Sequence, residues 1–487
     1  MLFTTIEFQI FFIVVSTLFY ALGFFNKHRS ALFLLTLASL FFYSYWNIKF
    51  LPLILVSIGC NLNFGWLLTY KIAKPKIRRA ILIFAIFANL AFLGFFKYAN
   101  WLILAVNSTG THLPLINYAL PLGISFYTFT QIAFIVDAYQ RKTDDLNPLR
   151  YLLFVTYFPH LIAGPILHHK EMMNQFESKT LSKINLLNIQ QGFILFAIGF
   201  MKKILIADSL ASVVTKYYDT GVALDFWSSW ISSLAYTFQL YFDFSGYTDM
   251  ALGLSLMLNI RLPYNFNSPF KARSLSEFWR RWHITLSRFL RDYIYIPLGG
   301  NKYGARREYF AVIVTFALGG IWHGAGGHFL IWGLLNGLGI AIERAWHRKY
   351  PAKNNWVAWA MTFLFVNITL IFFRAHSVGD ALNVLRGLVD VNSILTFGSS
   401  NIPTPDLAWI GSHLEWILFL PTQLAINLPY VALVIICFGT TFFGKNSQEI
   451  VASYSKTRLM PLMLVGYFFA LAWSITKTEQ IFLYFNF

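Results

Sequence analysis

Long apolar runs alternate with short clusters of Lys and Arg along the whole chain. The runs are about 20 residues long, which is the length that an α-helix needs to cross a membrane. Hydrophobic residues account for 57% of the 487 residues and charged residues for only 12%. These proportions exclude an ordinary soluble domain and predict an all-α polytopic membrane protein.

The formal net charge of +17 comes from the basic clusters between the apolar runs. A basic chain can indicate nucleic-acid binding, but this distribution is typical of the cytoplasmic loops of membrane proteins. We therefore expect membrane lipid, and no nucleic acid, among the partners. Cys60 and Cys437 lie in apolar runs without a CxxC pattern, and the adjacent pair His168 and His169 is a weak metal signal, so we expect neither a disulfide nor a metal site.

The basic clusters also predict the orientation of the chain, because Lys and Arg favour the cytoplasmic side. The clusters at residues 27–29 and 71–79 predict cytoplasmic loops, which puts the N-terminus outside. A shorter run, residues 151–167, has basic flanks on both sides and is broken by prolines, which favours a re-entrant hairpin. The expected spans are residues 6–24, 31–46, 51–70, one from 80 onward, 120–139, 186–207, 227–258, 356–374, 428–443 and 460–475.

Residues 259–308 contain ten Lys and Arg residues. A helical wheel of about 100° per residue, drawn from Ser276, separates arginines from apolar side chains, which predicts an amphipathic helix at the cytoplasmic interface. His283 falls at the border of the two faces, where either a headgroup contact or a functional role fits the pattern. The basic arc contains Arg280, Arg281, Arg288 and Arg291, and the apolar arc contains Phe278, Trp282, Leu286, Phe289 and Tyr293.

Residues 309–345 form an apolar segment about twice as long as one span. Arg306 and Arg307 precede it and further basic residues follow from Arg344 onward, so both of its ends belong in the cytoplasm. We expect a re-entrant hairpin that turns near the glycine-rich residues 319–327, with His323 deep in the membrane. An ionisable group at that depth is a candidate for catalysis, although a buried histidine bonded to a backbone carbonyl fits the same pattern.

Two carboxylates lie within the run 227–258, at Asp243 and Asp249. A carboxylate inside a membrane is costly unless it has a partner. An ion pair with a nearby arginine explains them, and a supporting role at a functional site is the alternative.

Several segments carry a family resemblance. They include Glu-Phe-Trp-Arg-Arg-Trp-His-Ile-Thr-Leu-Ser at 277–287, Arg-Asp-Tyr-Ile-Tyr-Ile-Pro-Leu-Gly-Gly-Asn at 291–301 and Gly-Ile-Trp-His-Gly-Ala at 320–325. These segments resemble the membrane-bound O-acyltransferase (MBOAT) superfamily. Residues 158–165, 241–250 and 263–270 and the closing Phe-Leu-Tyr-Phe-Asn-Phe are similar to its alginate O-acetyltransferase-like bacterial branch, although His160 stands where relatives often have Gln.

The resemblance implies the MBOAT fold, with about 11 transmembrane helices, re-entrant hairpins and interfacial helices around a central funnel. Residues 1–487 would form a single domain in the bacterial cytoplasmic (inner) membrane. The two family histidines map to His323 and His283. The implied reaction passes an acetyl group from a cytoplasmic thioester across the membrane, for O-acetylation of an exopolysaccharide or peptidoglycan.

Acyl transfer needs a base for the attacking hydroxyl and donors for the developing oxyanion. We expect His323 to be the base, because burial favours a neutral imidazole. His283 would orient the donor at the cytoplasmic mouth. The other expected site residues are Arg280, Arg281, Trp282 and Lys271 for the donor, which is acetyl-CoA and not a bound cofactor, and Trp322, Asp243, Asp249 and Asn267 in support.

The sequence leaves several alternatives open. A transporter or flippase would also have broken helices and polar groups at the membrane midplane. Relatives of this kind also transfer D-alanyl groups from a carrier protein to teichoic acid, and a non-catalytic scaffold is a third alternative. The resemblance further implies an extracytoplasmic acetyltransferase partner that completes delivery to the glycan acceptor.

The hairpin prediction can be tested by cysteine labelling. If residues 309–345 re-enter the membrane, Arg306 and Lys349 lie on the same, cytoplasmic side. Cysteines introduced singly at these positions should react with a membrane-impermeant reagent only from inside. Labelling of the two positions from opposite sides would contradict both the hairpin and the deep placement of His323.

Overall fold

The computed structural model describes residues 1–143, 145–219, 224–350, 356–396, 422–453, 459–475 and 483, and within these ranges it contains helices and no β-strand. The chain forms two compact units, which we describe separately. Unit 1 contains Met1–Phe196 and Tyr247–Tyr264, and unit 2 contains Ala197–Gly246 and the described part of Asn265–Phe487. An all-helical architecture with apolar helices agrees with the expected polytopic membrane protein.

Unit 1 begins with long apolar helices whose ends follow local sequence signals. Thr5 caps the first helix by accepting a hydrogen bond from the backbone N–H of Phe8, and Asn147 caps a later one through the N–H of Arg150. Amide side chains pair inside the unit, where Asn61 and Asn89 exchange hydrogen bonds. The helices are α1 (Ile6–Phe24), α2 (His28–Trp46), α3 (Leu51–Trp66), α4 (Pro75–Asn107), α5 (Ile124–Tyr139), α6 (Pro148–Thr156) and α7 (His169–Glu177).

The short run that was expected to re-enter the membrane contains no continuous crossing helix. Helix α6 ends at Thr156, and turns follow until α7 begins at His169. Some of its polar groups are bonded within the protein, among them the ring of His160, which contacts the Phe154 carbonyl oxygen at 2.9 Å. This internal satisfaction is what irregular backbone at membrane depth requires.

Unit 2 carries the remaining helices, and two helices contribute residues to both units. Helices α8 (Leu186–Met201) and α10 (Phe226–Met257) are the shared ones. The others are α9 (Asp208–Asp219), α11 (Leu275–Arg281), α12 (Ile284–Leu290), α13 (Ala305–His323), α14 (Gly327–Lys349), α15 (Trp356–Arg374), α16 (Val378–Leu388), α17 (Thr422–Phe442), α18 (Ser447–Ser453) and α19 (Leu459–Ile475).

Four helical segments in the described ranges are long and apolar enough to cross a membrane, and a bent pair formed by α17 and α18 would make a fifth. The four are α1, residues Ile48–Lys71, α4 and α15. Helices α1 and α15 begin and end at the predicted residues. The expected number of about 11 spans is not reached by this measure of length and composition. Much of the segment between the expected spans 356–374 and 428–443 lies outside the described residues, as does most of the closing motif.

Helices α13 and α14 pack against each other as a helical hairpin, and its re-entry into a membrane stays a prediction. Their backbones approach so closely that a Cβ on Gly320 would lie 2.3 Å from the Phe329 carbonyl oxygen, and one on Gly333 would lie 2.4 Å from that of Phe316. Small residues permit such contacts between helices in membranes. At the open end, Glu308 accepts a hydrogen bond from Arg344 at 2.8 Å. The two predicted cytoplasmic ends therefore lie side by side.

The close contact at Gly333 predicts that two alanine substitutions differ in their effect on stability. Gly333→Ala should destabilise the protein by about 1–3 kcal/mol, because a Cβ would overpack the hairpin. Gly327→Ala is the matched control, since a Cβ there meets nothing within 4 Å. Thermal unfolding in detergent measures both. An equal midpoint for the two variants would contradict the close packing.

Candidate active site

His323 is the last residue of α13 and lies at the closed end of the hairpin. The helix ends there because Gly324 adopts an extended backbone, and the ring of Phe329 occupies the space that a side chain at Gly324 would need. The imidazole is 5% exposed. The expected break at the glycine-rich residues is therefore present and His323 is buried within the protein, whereas its depth in a membrane stays a prediction.

Aromatic rings surround the His323 imidazole on several sides. Ring centroids lie 4.8 Å away for Trp322, 5.2 Å for Trp332 and 5.0 Å for Phe373. A narrow cavity opens beside the histidine, with room for little more than a water molecule. The cavity is lined by Leu240, Phe244, Trp282, His323, Trp332, Leu370 and Phe373.

His283 lies between two short helices and not within one long helix. Helix α11 ends at Arg281, and α12 begins at Ile284. His283 has a φ of 41°, in the left-handed region that interrupts a helix and that costs a residue with a side chain free energy. The prediction of one continuous amphipathic helix from Ser276 is therefore wrong. The helical wheel assumes a continuous helix, but hydrogen bonds with residues 265–267 bend the chain at His283.

The His283 side chain is buried, with 1% exposure, so the interpretation as a solvated or headgroup-contacting histidine is wrong. Its ring lies edge-on to Phe244, with 4.7 Å between the centroids. Burial lowers the pKa of His283, which lies outside the spanning segments, to about 3. The imidazole is therefore neutral at physiological pH and cannot attract a phosphate by charge.

One side chain and one sequence neighbour connect the two histidines. Phe244 contacts the His283 ring and also lines the His323 cavity. Trp282 precedes His283 in sequence and lines the same cavity. The structure thus brings His323, Trp282 and the surroundings of His283 together, although they come from different helices.

Helix α11 is held against the hairpin by polar contacts at both of its turns. Glu343 of α14 accepts hydrogen bonds from the backbone N–H groups of Leu275 at 2.5 Å and Ser276 at 3.3 Å. The indole of Trp279 donates to Asn336 at 3.3 Å and packs on Trp332. Because a carboxylate at a helix N-terminus is favourable, these contacts fix the position of α11 relative to His323.

The other residues expected at the donor site lie toward the protein surface. Arg281 pairs with Glu277 at 2.8 Å and donates to the Asn267 carbonyl oxygen at 3.3 Å. Arg280 and Asn267 are exposed. Lys271 donates to the Gly444 carbonyl oxygen at 2.7 Å. The contact of Arg280, Arg281 and Lys271 with donor phosphates stays a prediction, as does the supporting role of Asn267.

Asp243 has an ion-pair partner, but the partner is a lysine and not the expected arginine. Lys203 lies 2.5 Å from Asp243 and 2.8 Å from Asp208. The backbone N–H of Leu483 donates to the second Asp243 oxygen at 3.1 Å. Asp249 belongs to unit 1, where it is 4% exposed. Lys203 was not singled out, although it lies inside the expected span 186–207, where a lysine needs a partner.

The sequence also did not identify most of the side chains that line the His323 cavity. Phe244 belongs to the recognised segment 241–250 and Leu240 directly precedes that segment, but only the aspartates of the segment were singled out as candidates. No spacing rule connects Trp332, Leu370 or Phe373 to His323, because they come from separate helices. The described residues bring together no group of three or more metal-ligating side chains.

Comparisons with known proteins show what the chain resembles. Residues 42–379 match the family model described as MBOAT, the membrane-bound O-acyltransferase family. A peptidoglycan O-acetyltransferase of Helicobacter pylori is 40% identical, over 93% of this chain and 91% of that protein. A probable alginate O-acetylase AlgI of Pseudomonas aeruginosa is 39% identical, over 78% and 74%. A teichoic acid D-alanyltransferase of Bacillus subtilis is 29% identical, over 52% and 69%.

The buried charge cluster predicts an unequal response to substitution. Lys203→Met should destabilise the protein by about 3–5 kcal/mol, because it leaves Asp208 and Asp243 without their shared cation. Asp243→Asn should cost less, since Lys203 keeps Asp208. As a control, Arg281→Gln removes a half-exposed pair worth about 0–1 kcal/mol. Unfolding midpoints in detergent report all three, and a smaller shift for Lys203→Met than for Arg281→Gln would contradict this account.

Proposed function

The chain belongs to the membrane-bound O-acyltransferase family and is therefore an O-acyltransferase of the multi-pass membrane type, and on that premise we propose that it O-acetylates an extracytoplasmic glycan. The donor would be a cytoplasmic thioester, acetyl-CoA, and the acceptor an exopolysaccharide or peptidoglycan. Relatives named for peptidoglycan and alginate acetylation support this choice. The site would lie in the bacterial cytoplasmic membrane.

The observation that carries the proposal is the enclosed cavity shared by His323 and Trp282. A base must be within reach of the proton that it removes, and exclusion of water protects a thioester from hydrolysis. His323 lies at the end of a helix, buried among aromatic rings. In this proposal the imidazole takes the proton of the attacking hydroxyl as its oxygen bonds to the acyl carbon. The carbon–sulfur bond of the thioester then breaks, and the imidazolium returns the proton to the sulfur, which leaves as the thiol of CoA.

His283 and Trp282 would orient the donor from the α11 side of the cavity. Because the His283 imidazole is neutral, it would act by hydrogen bonding and shape and not by charge. The cations Arg280, Arg281 and Lys271 would hold the phosphates of acetyl-CoA. Lys271 would first have to release the Gly444 carbonyl oxygen. Trp322, Asp243, Asp249 and Asn267 are proposed to support this arrangement.

Direct transfer to the hydroxyl is the simplest path. The side chains that line the His323 cavity within the described structure include no serine or cysteine. Both described cysteines lie elsewhere in the sequence, and burial suits Cys437 to packing. An extracytoplasmic acetyltransferase partner would then complete delivery to the glycan. D-alanyl transfer to teichoic acid is less favoured, because the relative of that name matches a smaller share of the chain.

Two histidine substitutions test the proposed roles. His323→Ala should leave folding and donor affinity nearly intact and lower turnover by about 10²–10⁴-fold, as expected when general acid–base assistance is lost. His283→Ala should weaken donor binding as well as turnover. Donor affinity and turnover of labelled acetyl-CoA, measured in detergent, separate the two effects. Full activity in His323→Ala would exclude His323 as the base.

A further inference from the structure

Residues 265–267 run beside residues 281–285 and hold His283 in its strained conformation. The N–H of Asn267 donates to the Arg281 carbonyl oxygen at 2.9 Å, and the N–H of Ile284 donates to the Asn265 carbonyl oxygen at 3.0 Å. These two bonds lie on either side of His283. They stabilise the left-handed backbone of that residue, which the sequence alone disfavours.

The side chain of Asn265 reinforces the same connection. Its Oδ1 accepts hydrogen bonds from Thr285, from the backbone N–H at 3.3 Å and from the hydroxyl at 2.7 Å. Phe266 follows Asn265 and packs on Trp282 and Phe244, with 5.1 Å between centroids in each pair. Asn265 therefore lies at the junction between the His283 backbone and the side chains that connect the two histidines.

In the described structure, the side-chain oxygen of Asn265 accepts hydrogen bonds but its side-chain nitrogen makes none. Asn265 is 1% exposed, and its Nδ2 has no hydrogen-bond partner in the described structure. A carboxamide nitrogen carries two N–H donors. Buried donors are nearly always satisfied in native proteins, and exceptions require a specific explanation. An acceptor that arrives with the substrate would supply one.

We propose that the Asn265 amide donates a hydrogen bond to a carbonyl oxygen of the acyl donor, as a further donor-binding residue beside His283 and Trp282. The inference rests on the proposed function, since acetyl-CoA carries carbonyl oxygens in its acetyl group and its pantetheine arm. The oxygen and nitrogen of one side chain would then have separate tasks. Oδ1 holds the His283 segment, and Nδ2 binds the donor.

Asn265→Asp separates these tasks, because aspartate keeps an oxygen acceptor for Thr285 and loses both N–H donors. Thr285→Val is the matched control, since it removes one bond to Oδ1 and leaves the amide in place. The purified protein would be titrated in detergent with two ligands. One is an acetyl-CoA analogue with a methylene between sulfur and carbonyl, and the other is free CoA, which lacks the acetyl carbonyl.

We expect Asn265→Asp to raise the Kd of the analogue by about 3- to 10-fold, the effect of one hydrogen bond, with an unfolding midpoint near that of the wild type. Thr285→Val should change the Kd by less than about 2-fold. A loss confined to the analogue assigns the bond to the acetyl carbonyl, and an equal loss with free CoA assigns it to the pantetheine arm.

An uncharged variant keeps the test decisive if Asn265→Asp does not fold. Asn265→Ala should weaken binding of the analogue at least as much. Wild-type affinity in a folded Asn265 variant, or an equal loss in Thr285→Val, would overturn the inference while leaving the proposed function intact. A wild-type protein that neither binds nor consumes acetyl-CoA would overturn both.

Discussion

The close approach of α13 and α14 decides where His323 lies. Gly320 and Gly333 let the two backbones meet without intervening side chains, and lipid tails offer no hydrophobic force that could bring helices together instead. The hairpin therefore depends on van der Waals contact along this seam. His323 ends the first helix, so its depth and direction follow from the seam and from the turn after it.

Helix α14 also determines the position of a second segment of the chain. Its residues Glu343 and Asn336 bind α11, and α11 carries Trp282 to the cavity beside His323. The two histidine-bearing segments are thus connected through one helix as well as through Phe244. Such rigid support is what precise placement of reacting groups requires.

Unit 2 contains a compact cluster of buried charged groups around Lys203. This side chain lies between Asp208 and Asp243, and Asp243 is on α10 next to Phe244. Removal of charges from water is costly unless they are paired and bonded. The cluster therefore constrains the face of α10 that contributes Leu240 and Phe244 to the cavity.

The sequence by itself determined the helical class, the ends of α1 and α15, the hairpin of residues 309–345 and the burial of His323. These features depend on local quantities, namely the length of apolar runs, the position of basic residues and the break that glycines make in a helix. Family resemblance added the pairing of His323 with His283. Neither source predicted the bend at His283, because helical periodicity assumes that the backbone continues as a helix.

Only the tertiary structure decided how that bend forms and what surrounds the site. The strained φ of His283 is stabilised by hydrogen bonds with residues 265–267, which lie outside helices α11 and α12. The choice of Lys203 as partner of Asp243, and of Leu370 and Phe373 as walls of the cavity, likewise depends on the packing of separate helices. A charge cluster or a periodic pattern indicates only the conformation and location that one segment favours by itself. Contacts between segments are decided by shape and by the satisfaction of buried polar groups, which no single segment contains.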